Sequence, residues 1–207
     1  MGVKCYRFLN LGFTMLNDSG MAHLHRFSNL DTLALDYTGI SDEGLWELAK
    51  LSNLTFLQLR RIAVHGQYLG DILRSNPNLR RLDLTDTMVD DAGVMCIALG
   101  KSLEELYLDR TLVTDEGLKA IARATSLRWL NLSDTQVTAR GVKHLVGLAH
   151  LENLQLSGTP VGDDVIDHLL QMPSLRDVGL LDTKVTAEAL RERWPEHIRV
   201  FHSEGPQ

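Results

Sequence analysis

The sequence predicts an α/β solenoid, a right-handed β-α superhelix of about eight repeats with a parallel sheet on its concave face and helices on its convex face. Three observations carry that expectation. Apolar residues recur as L-x-x-L-x-L through nearly the whole chain of 207 residues. The recurrence holds a fixed period. Each copy then carries the same second half, in which period-two spacing gives way to helical spacing.

The copies begin near residues 6, 30, 54, 79, 103, 127, 151 and 175, so every step is 24 residues except one of 25. Leu30, Leu33 and Leu35 open a regular copy; Leu127, Leu130 and Leu132 open another; the first is degenerate, with Tyr6, Leu9 and Leu11. Within L-x-L the leucines lie two apart, so both face one side of a strand and the residues around them face the other. Three residues after the last Leu stands a threonine: Thr14, Thr38, Thr87, Thr111, Thr135, Thr159 and Thr183. Its hydroxyl is expected to turn inward and bond loop backbone between neighbouring copies, since a buried hydroxyl needs a partner. Two residues further on comes an aliphatic residue such as Val89, Val113 or Val137.

A capping segment follows, as in Ser41-Asp42-Glu43-Gly44 and Thr114-Asp115-Glu116-Gly117. Ser, Thr or Asp accepts from an orphan N–H at a helix start, and acid in the first turn complements the helix dipole. Leu118 and Ile121 then share one helix face. One strand and one short helix cannot bury their apolar sides alone, whereas stacked copies share a continuous core. The third copy departs from the pattern, with Ile62 for Thr, His65 at the cap, Tyr68 for Gly and an extra residue around Ser75-Asn76-Pro77-Asn78. A distorted or longer loop is expected there. One domain over 1–207 is expected. In its closing segment, 190–201, Ile198, Val200 and Phe201 form a last strand over the open core.

These residues resemble leucine-rich-repeat proteins of the T-x-V-T-D-E-G-L type. That variant is common in bacterial repeat proteins and similar to the cysteine-containing repeats of F-box substrate receptors. The resemblance spans roughly residues 6 to 201. It implies a leucine-rich-repeat solenoid, an arc that binds macromolecules on its concave sheet; such an open arc supplies no closed pocket for a catalytic pair, so no enzyme is expected.

Composition narrows the function. The formal net charge is −6, with 44% hydrophobic and 23% charged residues, and no Lys/Arg run occurs. Nucleic acid is therefore excluded as a partner, since it needs a basic patch. No apolar stretch is long enough to span a membrane, and no secretory signal or complete myristoylation motif begins the chain. A cytoplasmic location follows, and Cys5 and Cys96 are expected to be reduced thiols. Phosphate-loop, dinucleotide and hydrolase-elbow motifs are absent. His23 and His25 stand two apart and do not share a helix face. No cofactor or metal is expected. The carboxylates Asp83, Asp86, Asp109 and Asp134 could approach one another, but Asp serves local backbone bonding in such turns.

The fixed period identifies the concave columns. Arg81, Asp83, Glu105, Tyr107, Asp109, Trp129 and Asn131 fall on three adjacent strands. Tyr, Trp and Arg dominate interface hot spots. The expected function is therefore a protein-protein interaction module. Its site is centred on exposed Tyr107 and Trp129 and rimmed by acid, for a protein or peptide of basic character. Two alternatives stand beside it: a fragment recruiting a target for another domain, and a scaffold self-associating through Phe8, Phe13 and Phe27. The oligomeric state is open.

Overall fold

The computed structural model describes residues 6–203. Nine strands of three residues each form one parallel sheet in chain order. They are β1 (Phe8–Asn10), β2 (Thr32–Ala34), β3 (Phe56–Gln58), β4 (Arg81–Asp83), β5 (Glu105–Tyr107), β6 (Trp129–Asn131), β7 (Asn153–Gln155), β8 (Asp177–Gly179) and β9 (Arg199–Phe201). Leu9, Leu33, Leu57, Leu82, Leu106, Leu130, Leu154, Val178 and Val200 stand in one register row across it. Parallel strands need a crossover, and here it carries a helix. The helices are α1 (Asp18–Met21), α2 (Asp42–Leu45), α3 (Leu69–Ser75), α4 (Asp91–Val94), α5 (Asp115–Ile121), α6 (Ala139–Val142), α7 (Ile166–Leu169) and α8 (Ala187–Arg193). Five of these eight last a single turn, and α2 and α6 run straight on as 3₁₀ turns.

One continuous core runs the length of the stack. Leu33, Leu57, Leu82, Leu106, Leu130 and Leu154 are all 0% exposed, so the row that pairs the strands also fills the interior. The caps form as expected: Ser41, Thr114 and Thr138 accept from the backbone N–H two residues on, and Asp90 and Thr186 from that three on.

The acidic residue at the first helical position does more than meet a helix dipole. Asp18 Oδ1 accepts from Ser41 N at 2.8 Å and Asp115 Oδ1 from Thr138 N at 2.7 Å, each in the next repeat. Asp91 holds Thr114 N, Thr114 Oγ1 and Gly117 N at 2.8, 2.6 and 3.0 Å. Asp42 and Asp163 act likewise on His65 N and Thr186 N. These carboxylates clamp one repeat to the next, a role that a reading of each repeat alone does not reveal.

Three expectations need correction. The threonine hydroxyls bond within their own repeat, each donating to the carbonyl three residues back, as in Thr135 Oγ1 to Leu132 O at 2.6 Å and Thr87 Oγ1 to Leu84 O at 2.7 Å. A hydroxyl reaches a carbonyl of its own tight turn sooner than one a repeat away. The longer, distorted loop of the third copy lies ahead of α3 rather than around Ser75-Asn76-Pro77-Asn78: residues 65–68 separate Val64 from α3, where only Thr114 separates Val113 from the equally long α5. Buried Asn76 closes α3, accepting from Leu54 N at 2.9 Å and donating to Ile72 O at 3.0 Å. The entry turn of α3 is the distorted part, with Gly66 at φ +90° and no side-chain cap at Tyr68. In the closing segment Ile198 is buried, but Phe201 is 49% exposed, since alternation along β9 turns only Val200 inward. Cys5 lies outside the described residues. Cys96 is partly buried, and burial pushes its thiol up.

Candidate concave-face site

The strand register decides which concave side chains meet. Arg81, Glu105 and Trp129 share one row, and Asp83, Tyr107 and Asn131 the other. Tyr107 and Trp129 are therefore diagonal neighbours on adjacent strands, within reach of each other's rings. Their ring centroids stand 6.2 Å apart with planes 29° from parallel. The Arg81 guanidinium sits 4.7 Å from the Tyr107 centroid and 4.6 Å from that of Phe56. Phe56, Arg81, Tyr107 and Trp129 thus make one aromatic–cation platform across β3 to β6, a geometry that ring quadrupoles favour.

The platform is fixed at its edge. The Tyr107 hydroxyl donates to Glu105 Oε2 at 3.0 Å, and Arg81 approaches the same carboxylate at 3.3 Å. Burial, and then this hydrogen bond, push the Tyr107 phenol up to about 12. Tyr107 and Trp129 are partly buried by these neighbours rather than open. The buried Trp129 Nε1 and Arg81 Nε find no hydrogen-bond acceptor among the described residues.

Asp83 and Asp109 are not an acidic rim. They are 0% and 8% exposed. Asp83 accepts from Arg60 Nε and Thr85 Oγ1, both at 2.7 Å. Asp109 accepts from Asn131 Nδ2 at 3.0 Å and stands 2.8 Å from Thr85 Oγ1, whose single proton it shares with Asp83. Asn131 in turn accepts from Ser133 N at 3.0 Å. A polar chain from Arg60 to Ser133 thus runs under the platform, because short carboxylates and amides at these places can bridge repeats where long side chains cannot. Glu105 stays accessible, with Asp86 and Asp134 on the neighbouring loops. Arg61 and Arg110 interleave with those two aspartates, Arg61 pairing with Asp86, and Arg110 standing 3.8 Å from Asp86 and 3.9 Å from Asp134. Among the described residues no group of three or more His, Cys, Asp or Glu could hold a metal ion.

A concave cavity of about 200 Å³ lies beside Trp129, lined also by Glu104, Glu105, Arg128, Glu152, Asn153 and Asp177. A larger hollow of about 730 Å³ opens at the C-terminal end, between α8 and β9, walled by Leu190, Trp194 and Val200.

Sequence reasoning missed a second feature. The residue before each threonine, or before Ile62 in the third copy, takes a left-handed backbone: Phe13, Tyr37, Arg61, Asp86, Arg110, Asp134 and Asp182 have φ between 52° and 58°, and Gly158 has φ 70°. Phe13 stacks on Tyr37 at 4.4 Å, and Arg61 lies 5.2 Å over Tyr37. Asp and Gly in the same column were the available signal, since they tolerate this conformation best.

The geometry defines a class: the chain is a leucine-rich-repeat solenoid. The family model described as Leucine Rich repeat matches residues 75–98 and 101–122. A crystal structure of internalin C2 from Listeria monocytogenes superposes with a TM-score of 0.74 at 23% identity, over 95% of this chain and 80% of that one. A second internalin of that organism, inlF, gives a TM-score of 0.75 at 17% identity, over 96% of this chain and 54% of that one. Among curated proteins no significant match was found. No helix among the described residues is long and apolar enough to cross a membrane.

Proposed function

We propose that this solenoid is a protein-binding module whose partner, a protein or peptide, docks on the concave face at Tyr107 and Trp129. The aromatic–cation platform carries the proposal. Four large side chains from four consecutive strands meet on the one surface where the fold does not dictate residue type. Rigid aromatics held by packing offer contact area at little further entropy cost, and they sit where hot spots concentrate. With Asp83 and Asp109 consumed internally, Glu105, although already bonded to Tyr107 and near Arg81, is the carboxylate of the expected set that stays accessible at the platform to a basic group of the partner.

The test is capture from native lysate by the wild type, by Tyr107→Ala/Trp129→Ala, and by Met95→Ser, which alters an exposed convex residue. The proposal expects a protein held by wild type and Met95→Ser and lost by the double variant. Capture lost only with Met95→Ser would move the site to the convex face. Self-association is a second reading, favoured by the exposure of Phe8 (60%), Phe13 (77%) and Met15 (99%). Phe27 is withdrawn from it, being partly buried against the core with Tyr6 edge-on at 6.2 Å. Sedimentation at rising concentration separates the two.

A further inference from the structure

Repeats one, two, four, five and seven clamp their successors through Asp18, Asp42, Asp91, Asp115 and Asp163. Two junctions carry no such carboxylate. Gly66 occupies the place in repeat three and Ala139 in repeat six. The junction after repeat three is reinforced on the concave side, where Arg60 pairs with buried Asp83 at 2.6 Å and Arg61 pairs with Asp86. The junction after repeat six is not. The ion pair that crosses it, Arg128–Glu152, has side chains 55% and 33% exposed, and such pairs contribute little.

Both halves of the clamp are altered there together. In repeat six a Cβ on Gly141 would lie 2.3 Å from Asp115 Oδ1, so the glycine makes room for the preceding carboxylate. The equivalent position in repeat seven is Val165, fully buried, which stands where a carboxylate on residue 139 would reach. The cap residue is Gly162, with no side-chain oxygen to offer or be held, where the repeats on either side have Thr138 and Thr186. We infer that the solenoid has a built-in hinge between its sixth and seventh repeats, at which the helix side opens while the strand ladder stays paired. The concave cavity straddles this hinge, with Trp129 on β6 and Asn153 on β7. Opening changes the cavity's width, so the hinge lets that part of the concave face adjust its shape; this last step alone rests on the proposed concave site.

Hydrogen exchange on the free chain tests the hinge without any partner. Local openings set amide protection. Protection factors over residues 162–166 are expected to fall about tenfold or more below those over 138–142. Asp115→Ala, which gives repeat five the residue that repeat six already has, is expected to bring 138–142 down to the level of 162–166 and leave the latter unchanged. Equal protection of the two segments in the wild type would overturn the inference. So would an unchanged 138–142 segment in Asp115→Ala. Should that variant fold poorly, the wild-type comparison still decides, and Asp163→Ala repeats the second arm over residues 186–190.

Discussion

Gly117→Ala is expected to destabilise the solenoid although it lies inside a helix, where alanine normally gains about 1 kcal/mol over glycine. The new Cβ would lie 2.6 Å from Asp91 Oδ1 and 3.0 Å from both Val113 Cγ1 and Val94 Cγ2. The valines belong to the packed core, so the carboxylate must yield. It then loses part of its hold on Thr114 N, Thr114 Oγ1 and Gly117 N. A hydrogen bond to a charged group contributes about 1.5–3 kcal/mol. Forfeiting one or two, against the gain in helix propensity, leaves a net loss of about 0.5–5 kcal/mol. For a chain of this size the melting temperature falls by about 2–4 °C per kcal/mol. Urea unfolding followed by circular dichroism measures the loss. The second arm is the double variant with Asp91→Ala. Without the carboxylate the tightest contact disappears and only the two valine contacts at 3.0 Å remain, so Gly117→Ala should then cost markedly less than in the wild-type background. A stabilising Gly117→Ala in the wild-type background would refute the clamp, as would an undiminished penalty in the Asp91→Ala background.

Thr135→Val should cost about 1–2 kcal/mol, since it strips a partner from the Leu132 carbonyl at a place 1% exposed, whereas Thr14→Val at the exposed first repeat should cost a few tenths; thermal melts of the pair compare them. Leu130→Ala, at the centre of the register row, should cost about 3–5 kcal/mol by calorimetry. Arg60→Ala leaves the Asp83 carboxylate buried without its cation and should cost more than Arg128→Ala, whose partner Glu152 is one-third exposed; equal losses in urea unfolding would contradict the buried pair. Tyr107 should ionise late in an ultraviolet titration. Its folded value of about 12 lies above its ordinary 10, so its contribution to stability is complete below pH 10 and lost as pH rises toward 12; Tyr107→Phe should remove that dependence.

The fold was legible because its determinants are periodic. A leucine row that recurs every 24 residues must lie on one side of one sheet, and each Ser or Thr before an acidic turn starts a helix. What escaped was every interaction whose partner sits one repeat away. Asp91 and Asp115 look like ordinary first-turn acids until the next cap is placed against them. The candidate site was half legible for the same reason. Register alone puts Arg81, Tyr107 and Trp129 side by side, but alternation cannot say that Asp83 and Asp109 sink beneath Arg60 and Thr85. Exposure on a concave face depends on the length of the neighbours on both adjacent strands, which a single strand's pattern does not contain.

In a stack where one rule is repeated eight times, selection for something other than folding shows where the rule is broken at a cost. The inward columns keep to apolar residues and threonine with few departures, such as Ile62 in the Thr column and Val178 in the Leu row. The left-handed column before each threonine should hold Gly, Asp or Asn, since other residues lose about 1–2 kcal/mol there. It does so at Asp86, Asp134, Gly158 and Asp182, yet Phe13, Tyr37, Arg61 and Arg110 occupy the remaining places. Three of these four are consecutive and stack on one another at the surface, so the strain at Phe13 and Tyr37 is offset by each other or by something that binds them, and that at Arg61 also by its pair with Asp86. Replacing Phe13, Tyr37 and Arg61 together by Gly should then cost no more stability than the lost stacking, about 1–2 kcal/mol before the relief of strain. A stability unchanged or raised by that triple variant, with partner capture also unchanged, would leave these residues with no role in folding or binding and return the whole weight of recognition to Tyr107 and Trp129.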